Sequence, residues 1–139
     1  MGDDYMLQVL KMYAVTFIAF IVVDLVWLVF IAKNIYKEQL GFIMKSTPNW
    51  IAAGIFYLLF IAGLVFFVIY PGISKGSLVY TLLTGMFFGL ITYATYDLTN
   101  LAVLEGWPLK ITIIDIVWGT VLGGLTSLIS FLVLAGTRV

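Results

Sequence analysis

The chain contains no cysteine and no histidine. The first absence excludes disulfides, thiolate metal sites and a cysteine nucleophile. The second excludes histidine-ligated haem and histidine-based zinc or di-iron centres. Charge is scarce too: seven basic and seven acidic residues in 139, or 10%, balance to zero. A soluble domain of this length carries roughly 25% charged residues. So few charges cannot cover a water-facing surface, and zero net charge gives no footing for nucleic acid. Chemistry is left to Asp, Glu, Tyr, Ser, Thr, Asn, Lys and Trp. Only hard, oxygen-liganded cations remain plausible as metals, and no metal site and no cofactor is assigned.

What is abundant is apolar. Hydrophobic residues make up 63% of the chain, and mean hydropathy is +1.16. A spanning helix needs about 20 apolar residues, and four segments qualify, at about 12–32, 49–70, 78–104 and 109–135. The expectation is an all-α, integral membrane four-helix bundle forming a single transmembrane domain over 1–139. Thr47-Pro48 reads as a cap and first-turn proline for the second helix. Pro71-Gly72 reads as its stop, Glu105-Gly106-Trp107-Pro108 as a tight turn, and Gly136 as the close of the fourth. Asp3 and Asp4, with a long apolar run behind them, do not read as a signal peptide. Tyr13, Tyr36, Trp50, Tyr70, Tyr80 and Trp107 fall near helix ends, as an aromatic belt does.

The first connection, Lys33 to Ser46, is the long one. Tyr36, Leu40, Ile43 and Met44 recur in it at helical spacing among lysines. That pattern predicts a short interfacial helix between helices 1 and 2. It is either a lipid-surface anchor or a lid over a site between the helices. Lys33, Lys37, Lys45 and Lys110 on one side outnumber Lys11, Lys75 and Arg138 on the other. The first connection is therefore expected to be cytoplasmic, with both termini outside.

Three aspartates interrupt the spans: Asp24, Asp97 and Asp115. A carboxylate in hydrocarbon costs several kcal/mol unless paired, hydrated or protonated. Their depths agree. Asp24 lies roughly 13 Å before Lys33, Asp97 roughly 12 Å before Glu105, and Asp115 roughly 7–8 Å after Lys110, at 1.5 Å per residue. Because the helices alternate in direction, all three belong to the half of the membrane that holds the first and third connections.

Their faces agree as well. Tyr93, Asp97 and Asn100 form one stripe with Gly85 and Gly89, and small residues there permit close helix approach. Asp115, Trp118 and Gly119 share a face with Gly123, Thr126, Ser127 and Ser130. Thr16, Phe20, Asp24 and Trp27 share another. Asp-x-Val-Trp occurs twice, ending at Trp27 and Trp118. In each copy a carboxylate and an indole stand one turn apart, able to hydrogen-bond across the bundle or to hold a cation. Helix two, with Tyr57 and small residues, reads as a packing wall. Thr95 and Thr99 read as ordinary membrane-helix hydroxyls, and Glu105 and Trp107 as interface residues or a cavity mouth.

The run from Tyr93 through Asp97 to Asn100, Gly106-Trp107-Pro108, and Asp115 to Gly119 resemble the hallmarks of a family of small predicted bacterial membrane proteins of unknown function. The segment from Asp24 to Trp27 fits its first helix. The resemblance covers nearly the whole chain and implies a bacterial inner-membrane protein, but no activity.

The candidate ligand-binding residues are Asp24, Trp27, Tyr93, Asp97, Asn100, Asp115 and Trp118. Three functions stay open. One is a unit that binds or transports a small cationic or polar solute, or a proton. It would work as a homodimer, since four helices are few for a complete transport path. The second is a membrane-embedded enzyme acting on a lipid or isoprenoid through carboxylate acid/base chemistry. The third is an accessory subunit whose polar groups only hold helices together.

Overall fold

The computed structural model describes residues 2–137, and Arg138 of the charge comparison lies outside them. Four long apolar helices account for most of the chain: α1 (Gly2–Ile31), α3 (Trp50–Lys75), α4 (Leu78–Val103) and α5 (Leu109–Gly136). A short helix, α2 (Ile35–Leu40), follows α1. No strand occurs among the described residues. Many of the helical residues are Ile, Val or Phe, poor helix formers in water. In lipid the alternative is an unsatisfied backbone, and that settles the matter.

Local signals fix the ends. Asp3 and Asp4 sit in the first turn of α1, where acidic residues suit the helix dipole. Asn49 caps α3 by accepting from the Ala52 N–H at 3.1 Å. The cap is thus Asn49, and Pro48 precedes it rather than opening the helix. Ser77 caps α4 in the same way, accepting from Tyr80 N–H at 3.1 Å. Gly106 turns the chain from α4 to α5 at φ 79°, where only glycine is unstrained.

Pro71 does not stop α3. The backbone widens to a π-helical turn over Val65–Ile69, and the helix then continues as Tyr70–Lys75. The wider turn absorbs the bond and the space that an interior proline removes. The true stop is Gly76, at φ 63°. α1 ends in a similar π turn over Trp27–Ile31, and it begins some ten residues earlier than the apolar run alone suggests.

α5 is the central helix. It packs most extensively on α4 and next on α1. The α4–α5 seam is built on Gly85 and Gly89 against Gly119 and Gly123. A Cβ at Gly89 would fall on the Gly119 carbonyl, and one at Gly123 on the Gly85 carbonyl. The buried face of α5 runs through Asp115, Trp118, Gly119, Gly123, Thr126, Ser127 and Ser130. The outward faces carry large apolar side chains such as Phe30, Ile51, Phe66 and Val103, as lipid contact requires. α3 meets α4 mainly through its second half, and its first half leans on α1.

Candidate functional site

The polar end of the bundle encloses a cavity of about 460 Å³. Asp24 of α1, Asp97 of α4 and Asp115 of α5 all line it. They are 8%, 0% and 6% exposed. No Lys or Arg is among the lining residues. The shared depth of the three aspartates therefore becomes a shared space.

Each carboxyl has a different set of donors. The Tyr36 hydroxyl donates to Asp115 Oδ1 at 2.6 Å and accepts from Trp27 Nε1 at 3.1 Å. The Tyr57 hydroxyl donates to Asp24 Oδ2 at 3.2 Å. Neither oxygen of Asp97 has a hydrogen-bond donor, and its near polar neighbour is the Asp115 carboxyl. An ionised carboxylate offers about four acceptor positions, so these donors leave the cluster largely unsatisfied. Among the described residues, no three acidic side chains converge as metal ligands do.

The two Asp-x-Val-Trp segments meet here. Trp27 and Trp118 stack with ring centroids 4.4 Å apart and planes 6° from parallel, which joins α1 to α5. Trp107, in the turn between α4 and α5, is buried and donates to Thr112 Oγ1 at 3.0 Å. It lines the cavity, as does Tyr96, whose ring packs edge-on against it at 5.7 Å. One turn beyond the lining residue Phe56, Phe60 packs against Phe88 at 5.3 Å and Tyr93 at 6.3 Å.

Six of the seven residues singled out from the sequence line this cavity: Asp24, Trp27, Tyr93, Asp97, Asp115 and Trp118. Asn100 does not. It shares the face of Asp97 but sits about 4.5 Å nearer the end of α4 and is not among the lining residues. Glu105 is exposed and also outside. The hydroxyls of Thr95 and Thr99 return to the carbonyls of Ile91 and Thr95 on their own helix.

Sequence reasoning missed the part played by helix two and left the interfacial helix open between an anchor and a lid. Helix two is not merely a wall, because Tyr57 holds Asp24 and Ala53 and Phe56 line the space. The interfacial helix brings Tyr36 and Leu40 over the cavity. Their polar–apolar spacing was visible, but not which face turned inward. Burial first, and then Asp115 beside it, push the Tyr36 phenol well above its ordinary 10.0. It stays protonated and donates.

A family model described as a predicted membrane protein, DUF2177, matches residues 9–132. The chain belongs to the DUF2177 family. The DUF2177 span takes in all three aspartates, both tryptophans of the stack, Tyr36 and Tyr57. No curated protein and no solved structure matches the chain.

Proposed function

We propose that this multi-pass membrane protein binds a small cationic solute, an amine above all, in its acidic, aromatic-lined cavity, as a binding or transport unit of the bacterial inner membrane. The observation that carries the reading is Asp97, fully buried with no hydrogen-bond donor on either oxygen, beside two further carboxyls and no positive side chain. Uncompensated carboxylates in a low-dielectric site are expensive. An ammonium supplies what the cavity lacks, since it brings three donors and a positive charge. The tryptophan and tyrosine walls favour a cation further.

A subunit held together by polar contacts alone calls for carboxyls packed on one another or on donors. Asp97 does approach Asp115, but all three carboxyls face a cavity of about 460 Å³ instead of a close-packed contact, which supports the binding reading. As a transporter the chain would pair with a second copy, because four helices enclose little more than one site. The enzymatic alternative, acid/base chemistry on a lipid or isoprenoid, makes a different prediction. Deleting the gene would then change the lipid or isoprenoid profile.

The test is thermal stability of the purified protein with butylamine. A saturable rise in midpoint is expected for the wild type, from preferential binding to the folded state. It should be lost in Asp97→Asn and reduced in Asp24→Asn and Asp115→Asn. An equal rise in all three variants would remove the carboxyls from the account.

A further inference from the structure

We infer that the cavity opens sideways into the bilayer between α3 and α4, and that its ligand is a membrane-dissolved long-chain primary amine. This rests on the amine reading above and adds the apolar tail and the route.

The opening follows from how α3 is tied. Gly76 and Ser77 join α3 to α4 at the end away from the cavity. There the two helices touch closely: a Cβ on Gly63 would meet the Phe88 ring, and one on Gly72 would meet Thr81. Toward Trp50 the contact between them thins. The first half of α3 packs on α1 instead, and Tyr57 anchors it there through Asp24. Phe60 is the last bridge to α4.

The other helix pairs around the cavity are cross-linked. The glycine seam closes α4 against α5. The Trp27–Trp118 stack closes α1 against α5. Tyr36, bonded to Asp115, covers the water-facing end. What remains is a gap with Ala53 and Phe56 on one lip and Thr92 and Tyr96 on the other. Phe56 is 40% and Tyr96 55% exposed, so both side chains stand where lipid lies.

The ligand's chemistry follows from the walls. The carboxyls lie inside, and the lips are apolar or aromatic apart from Thr92, whose hydroxyl donates to the Phe88 carbonyl of its own helix. A primary ammonium would seat among Asp24, Asp97 and Asp115 while its chain runs out past Ala53 and Phe56. A zwitterionic phospholipid does not fit, because no Lys or Arg in the cavity faces its phosphate.

The experiment uses the full-length protein in nanodiscs, read by quenching of tryptophan fluorescence with bromine-tagged dodecylamine. Partitioning into protein-free nanodiscs is subtracted. Untagged butylamine, dodecanol and dodecylphosphoethanolamine compete against it. Dodecylamine should bind about tenfold or more tightly than butylamine, because chain contacts add to the ionic ones. Ala53→Trp should slow its entry by about tenfold, a bulky ring at the lip acting on the rate. If that variant does not fold, Thr92→Trp blocks the same gap from α4. Equal affinity for the two amines, or unchanged entry in the folded lip variant, overturns this inference and leaves the amine reading standing. Competition by dodecylphosphoethanolamine as strong as by dodecylamine overturns the ligand class. Competition by dodecanol as strong, or binding of neither amine, overturns both.

Discussion

Tyr36 stands between Trp27 and Asp115 and makes two of the few hydrogen bonds that cross the polar end. Tyr36→Phe removes both and leaves a buried carboxylate and an indole N–H without that partner. The expected cost is about 1–3 kcal/mol, measurable by denaturant unfolding in detergent, with a shift in tryptophan emission. Because the phenol is raised above its ordinary 10.0 by burial and by Asp115, its stabilisation has a defined sign. It is fully present below pH 10.0 and is lost as pH rises beyond that value towards the folded-state pKa. The gap between wild type and Tyr36→Phe should therefore narrow on the alkaline side and not on the neutral side. At this scale the aspartates and both Asp-x-Val-Trp tryptophans were legible from the sequence, because intramembrane charge is costly enough to need a reason. Tyr57 and Asn100 were not. A lone tyrosine on an apolar helix announces no partner, and facing direction does not give depth.

The α4–α5 seam is the element on which the site's geometry depends, since it sets Asp97 opposite α5. Gly89→Ala would drive a Cβ into the Gly119 carbonyl, a backbone atom that cannot swing aside. Overpacking of this kind costs about 1–3 kcal/mol. Gly54→Ala meets nothing within 4 Å and should be neutral or slightly stabilising, because it adds helix propensity without a clash. Unfolding midpoints of the two variants check this, and a Gly89→Ala protein as stable as wild type would contradict the close seam. The four spans were legible because hydropathy and length alone define them. The details at their ends were not. Proline at 71 reads locally as a stop, yet a π turn over Val65–Ile69 lets the helix pass through it. Likewise the cap at Asn49 competes in sequence with Thr47 only a residue pair away, and geometry alone decides between them.

Four crossings put Thr47 and Glu105 on one side of the membrane and Gly76 and Thr137 on the other. The absence of cysteine makes this simple to check. Single cysteines at those four positions should label from opposite faces in two pairs, and any other grouping would contradict the topology. At this scale the sequence disclosed a polar half and an apolar half through the common depth of three aspartates. It could not disclose that the polar half holds a cavity rather than a packed contact, because that depends on how far the first half of α3 stands from α4. The central claim is that this cavity takes a cation at Asp97, the carboxyl without a hydrogen-bond donor. Equilibrium binding of labelled butylamine to the wild type and to Asp97→Asn in nanodiscs tests it most directly. One saturable site per chain in the wild type and none in the variant is the predicted result. Equal binding by both proteins, or none by the wild type, would contradict it.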